Sequence, residues 1–120
     1  MPREVLRGVC NHFFEMSPET TGEATFCCGG GGGLLTDDLV ELRVKGALPR
    51  MEAFKAVVDR HQVTHLAAIC AICKSQFAKV MPYYGFEMDQ ILSVHQLVGD
   101  ALVMGGEGTF SVPSALGEAR

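Results

Sequence analysis

Val63-Thr64-His65-Leu66-Ala67-Ala68-Ile69-Cys70-Ala71-Ile72-Cys73 is the stretch on which the fold turns. Val63–Ile69 is almost entirely apolar and includes Val, Thr and Ile. It reads as a short strand buried on both faces, the pattern of a parallel sheet. The run falls short of the ~18 apolar residues that mark a membrane span. Two cysteines at C-x-x-C spacing stand just past its end. Beyond them Phe77, Val80, Met81 and Tyr84 share one side of a helix that Gly85 stops. Ile91–Val94 reads as one more strand and Val94–Val103 as a last helix.

Upstream, Thr36 is placed to cap a helix with Asp37 and Asp38 in its first turn, where the helix dipole favours acids. Leu35, Leu39 and Leu42 give that helix an apolar face. Gly46 is expected to end it, and Pro49 to open a successor carrying Met51, Phe54, Val58 and His61. Ala24-Thr25-Phe26 reads as a short strand ending at Cys27-Cys28, and Ser17–Glu23 as polar turn material. Val5, Leu6, Val9, Phe13 and Phe14 suggest a short helix running into a strand-like Phe13–Met16. The alternation of strands and helices predicts an α/β architecture: a small partial parallel-sheet domain with flanking helices. Both cysteine pairs are then expected at strand C-terminal ends, where such sheets build their sites. The domain is expected over residues 1–104, with 105–120, rich in Gly, Ser, Ala and Glu, as a flexible tail.

Composition bounds the function. A chain of 120 residues allows one modest domain, and 48% hydrophobic residues are enough to give it a core. The net charge of −4 and the scattered Lys and Arg argue against nucleic acid, which needs a basic face. With no secretory signal legible, a cytoplasmic location is expected, peripheral on the inner membrane only through partner subunits. Five cysteines form an odd set for a disulfide framework, and clustered thiols in a reducing compartment point to metal or redox chemistry.

Cys27, Cys28, Cys70 and Cys73 are the candidate metal ligands. Thiolate is the ligand of iron–sulfur clusters and also suits zinc, and C-x-x-C puts two sulfurs on one side of a turn. The five glycines from Gly29 to Gly33 make sense where backbone passes close to something. Gly29, Gly30 and Gly31 are candidates to offer backbone N–H groups to a cofactor's sulfides. Other readings stay open. A structural zinc module without redox role would use the same four cysteines, and a thioredoxin-type C-x-x-C would leave Cys27-Cys28 unexplained. Inert buried thiols, or a degenerate fragment without metal, are further possibilities. No Lys-Ser or Lys-Thr follows the glycines, so a phosphate loop is discounted. Cys10, on an apolar face, reads as a buried inert thiol. His12, His61, His65 and His95 are spread out and read as ordinary histidines.

Cys27-Cys28-Gly29 followed far downstream by Cys70-Ala71-Ile72-Cys73 resembles the cysteine-rich CCG domain of heterodisulfide reductase and related iron–sulfur proteins. The surrounding residues extend the likeness: Val9-Cys10-Asn11-His12-Phe13-Phe14-Glu15-Met16, Thr25-Phe26, Glu41-Leu42-Arg43, Gly46, Leu48-Pro49-Arg50 and Ile69. From about residue 2 to residue 103 the chain is similar to the cytoplasmic heterodisulfide-reductase-like component of Dsr- and Hmc-type membrane redox complexes. The resemblance implies a [4Fe–4S] centre, in heterodisulfide reductase a noncubane one, on Cys27, Cys28, Cys70 and Cys73. It also implies partner subunits, among them a membrane quinone-interacting one, and electron transfer with a cytoplasmic thiol/disulfide couple. The family pattern includes a further cysteine well upstream of the pair, which this sequence lacks. The chain is therefore expected to correspond to the C-terminal portion of a longer CCG domain, inactive as an oxidoreductase alone, poorly soluble or oligomeric, and restored by the upstream segment.

Overall fold

The computed structural model describes residues 1–31 and 33–102. It is a small α/β domain. Its sheet has two parallel strands, β1 (Leu66–Ala68) and β2 (Ile91–Ser93), paired in the register Leu66 to Ile91, Ala67 to Leu92 and Ala68 to Ser93. Among the described residues four helices surround it: α1 (Pro2–Val9), α2 (Val40–His61), α3 (Ala71–Val80) and α4 (Val94–Ala101). The predicted strand–helix–strand unit is present as β1–α3–β2. A short 3₁₀ turn, Met81–Tyr84, carries α3 on to Gly85, the predicted stop. Ser93 opens α4 with a reciprocal cap: its Oγ accepts from Gln96 N at 3.1 Å, and Gln96 Oε1 accepts from Ser93 N at 3.0 Å.

The core gathers Ala47, Met51 and Phe54 of α2, Phe77 and Val80 of α3, Met81, Ala68 of β1, Ile91 of β2, and Cys28 from the N-terminal segment. α1 packs on α4, and α2 on α3.

Several expectations change. α2 runs 22 residues straight through Gly46 and Pro49, where the local signals predict a break. The physical reason is its buried stripe of Arg43, Ala47, Met51, Phe54 and Val57, which continues across both residues. Tertiary burial on one face outweighs the local penalty of an interior proline. Thr36 makes no side-chain cap; the helix is entered through a 3₁₀ turn, Asp37–Leu39. Val63–Ile69 narrows to the three paired residues of β1. Phe13–Met16 and Ala24–Phe26 form no strand: the segment runs as irregular backbone with 3₁₀ turns at Pro18–Thr20 and Gly22–Ala24. The carbonyls of Phe26 and Cys28 meet side chains instead of a strand partner; Cys27-Cys28 lies in a loop, and only Cys70 follows a strand. The end of the predicted last helix at Val103, and the predicted tail, lie outside the described residues.

Candidate metal centre

The C-x-x-C straddles the start of α3. Cys70 is its N-cap, with its carbonyl accepting from Lys74 N at 3.0 Å, and Cys73 lies in the first turn. Cys73 shares one helix face with Gln76, Phe77 and Val80, at spacings of three, four and seven. That face turns to the core, so Cys73 is half-buried while Cys70 remains exposed.

Of the Cys27-Cys28 pair, Cys28 reaches, from the other side, the groove that Cys70 and Cys73 line. Cys28 is buried in the core, and Cys27 is exposed, its Sγ 3.4 Å from Gly29 N. The backbone is forced close at this point. Gly29 has φ +82°, and a Cβ there would stand 2.6 Å from the carbonyl carbon of Gly46. Gly46, which the sequence suggests as a helix stop, is in fact the flat spot on α2 against which the cysteine loop rests. A Cβ on Gly30, likewise, would meet Gln76 Cβ at 2.9 Å. Gly31 borders open space.

Cys28, Cys70 and Cys73 line one groove. Cys28 and Cys70 both act on the Cys73 thiol. Burial, reinforced by those two thiols, pushes Cys73 up to about 12. Cys70 shifts the other way: the backbone N–H groups of Cys73 and Ile72 at the helix start stabilise its thiolate and lower its pKa. Among the described residues, no three or more Cys, His, Asp or Glu side chains are gathered as a closed metal-binding group. The donor set nonetheless suits an iron–sulfur centre. It consists of soft thiols from two chain segments, one of lowered pKa at a helix start, with a backbone N–H directed at a sulfur. Cys10 closes α1, half-buried, its thiol raised by burial, and lines the same groove as Cys28, Cys70 and Cys73.

Two residues at this site carry no chemistry that the sequence pattern alone reveals. Arg50 donates from Nε and Nη2 to the carbonyl of Phe26, at 3.2 and 2.7 Å, and its Nη1 lies 2.8 Å from Met16 Sδ. Burial lowers its pKa, while the thiols of Cys73, Cys28 and Cys27 and the carboxylate of Glu15 oppose that shift. Gln76 is fully buried. Its Nε2 donates to the carbonyls of Cys28 and Arg43, both at 3.1 Å, and its Oε1 accepts from Arg43 Nε at 2.8 Å. One signal for both is present in the sequence: each is a polar residue on an otherwise apolar helix face. Beside the site a groove of about 970 Å³ opens, walled by β1, α1, α2 and α4, with Cys28, Cys70 and Cys73 on its lining.

No family model matches the chain, and no solved structure matches it significantly. It is 41% identical over 103 residues to the Hdr-like menaquinol oxidoreductase iron–sulfur subunit 2 of Archaeoglobus fulgidus. It is equally similar, again 41% over 103 residues, to the Hdr-like menaquinol oxidoreductase iron–sulfur subunit of Archaeoglobus profundus. The aligned region is 86% of this chain but 18% of each relative, so the chain spans less than a fifth of their length. Over most of its sequence, then, this chain is similar to one stretch of the Hdr-like menaquinol oxidoreductase iron–sulfur subunits.

Proposed function

We propose that this chain is the cysteine-bearing part of an Hdr-like electron-transfer subunit. In this reading it holds a [4Fe–4S] cluster through Cys27, Cys28, Cys70 and Cys73 within a CCG-type domain. What supports the reading is that Cys28, Cys70 and Cys73, thiols from two distant segments, line one groove beside a glycine loop packed on α2. The names of the two relatives support the class of cofactor.

A bound cluster of this kind supplies one-electron transfer at a potential set by its surroundings. The chain's own residues prepare for it. The start of α3 favours thiolate at Cys70, burial shields Cys73 and Cys28 from water, and Arg50 brings positive charge to a site that becomes anionic when its thiols ionise. Loading releases the protons of the ligating thiols, Cys73 foremost. Electrons from a menaquinol-side membrane partner would pass through this subunit, on the cytoplasmic side, to a thiol/disulfide couple. Among the described residues no helix is long and apolar enough to cross a membrane, so membrane contact in this scheme is through other subunits.

The test is anaerobic purification of the chain, reconstitution with iron and sulfide, and measurement of iron, acid-labile sulfide and the electron paramagnetic resonance spectrum. Matched iron and sulfide with a cluster signal, lost in Cys28→Ser and Cys73→Ser and kept in Cys10→Ser, is the expected result. A colourless protein with stoichiometric zinc overturns the redox reading in favour of a zinc-stabilised module.

A further inference from the structure

The two carbonyls that bracket Cys27-Cys28 are each held by a side chain from a different helix. Phe26 O accepts the fork of Arg50 from α2, and Cys28 O accepts Gln76 Nε2 from α3. From this geometry we infer that Arg50 and Gln76 are positioning residues: they clamp the Cys27-Cys28 loop against the helices and so hold Cys28 on the groove that Cys73 lines. The purpose of the clamp rests on the cluster reading above; the clamp itself does not.

The arrangement is over-determined in a way that plain packing does not require. Gln76 lies in the core, where an apolar residue would fill space without needing partners. Instead its amide is fully used: Oε1 takes Arg43 Nε, and Nε2 gives to Arg43 O and Cys28 O. Arg43, 3% exposed, is oriented in turn by the carbonyl of Thr36 at 3.4 Å and by Asp37 Oδ1 at 3.8 Å. No buried side-chain N or O among the described residues is left without a partner. A half-satisfied network would be costly here, whereas a complete one fixes a unique geometry. That geometry ends on the Cys28 carbonyl, on the same helix face as Cys73. Arg50 acts from the other side, and its guanidinium is the cation whose field reaches Cys73, Cys28 and Cys27. Holding the loop and supplying charge are separable tasks, because lysine keeps the charge and loses the two-pronged bond.

The experiment compares the full chain with Arg50→Lys, Arg50→Gln and Gln76→Glu, each checked for fold by far-ultraviolet circular dichroism. Gln76→Glu retains an acceptor for Arg43 but has no N–H for the Cys28 carbonyl. In the metal-free protein, alkylation of the buried Cys28 by iodoacetamide, read by mass spectrometry against the exposed Cys27 as internal reference, is expected to be several-fold faster in Gln76→Glu and Arg50→Lys than in the parent. In the reconstituted protein both should broaden the cluster's resonance. The midpoint potential should stay near the parent value in Arg50→Lys and shift negative in Arg50→Gln. Unchanged alkylation and an unchanged spectrum in the folded variants overturn the inference. If Gln76→Glu fails to fold, Arg50→Lys decides it by the same readouts. If the parent binds no cluster, the functional reading fails while the alkylation rates still decide the clamp.

Discussion

Gly29 is the residue at which the backbone has least room. Its left-handed φ and the contact with the Gly46 carbonyl together exclude a side chain. Gly29→Ala is expected to lower stability by about 2–4 kcal/mol, the combined cost of an unfavourable φ and a backbone clash. Gly99→Ala is the control. That glycine lies in α4 with nothing within 4 Å of a Cβ, so alanine should stabilise by about 0.5–1 kcal/mol through helix propensity. Urea denaturation of the two variants measures both signs. A Gly29→Ala protein as stable as the parent would mean that the loop is free to lift off α2.

At the scale of elements, α2 and α3 are tied by the buried Gln76–Arg43 pair and, at their exposed margin, by Asp37. Asp37 Oδ1 lies 2.8 Å from Lys79 Nζ on α3 and 3.8 Å from Arg43 on α2. The hydrogen bond from Lys79, then its charge, lowers the Asp37 pKa. The folded value therefore lies below the unfolded one. The stability from this pair is present in full above the ordinary carboxylate range and is lost as the pH falls through the depressed value. Asp37 is fully exposed, so the effect is modest and screened by salt. Asp37→Asn should flatten the acid limb of a stability–pH curve at low ionic strength and leave the neutral region almost unchanged. An identical acid limb in parent and variant would contradict the assignment. α2 also receives a bond from Tyr84, whose hydroxyl donates to the carbonyl of Val44, one turn before Pro49. Tyr84→Phe is expected to cost about 1 kcal/mol, as for loss of one net hydrogen bond, and thermal unfolding would show it.

At the scale of the whole molecule, the sheet is too small to close the core. Residues 63–70, containing all of β1, line the groove between α1, α2 and α4, and β1 pairs on one side only among the described residues. Phe13 stands in that lining with the Arg7 guanidinium 5.2 Å above its ring. An apolar groove of this volume should bind the dye 1-anilinonaphthalene-8-sulfonate in native buffer, with blue-shifted emission. Phe13→Ser should weaken the binding several-fold without loss of helicity. Native chain that leaves the dye unaltered would mean that the groove is closed in solution.

The cysteine spacing, the glycine run and the apolar Val63–Ile69 segment by themselves determined the chemistry on offer, the strand–helix–strand unit and the stop at Gly85. These are local signals: periodicity, thiol count and turn residues act over a few neighbours in the chain. Only the tertiary structure decided what Gly46 and Pro49 do. Burial of Ala47, Met51 and Phe54 along one stripe carries α2 through both, and Gly46 serves as a contact surface for Gly29. The same holds for Ala24–Phe26, whose residues suit a strand but whose carbonyl at Phe26 is taken by Arg50, 24 residues away. What Gln76 and Arg50 bind is hidden in the sequence for the same reason. Their partners are backbone carbonyls, which every residue carries, so no pattern of side chains along the sequence marks the pairing; only the packed helices bring donor and acceptor together.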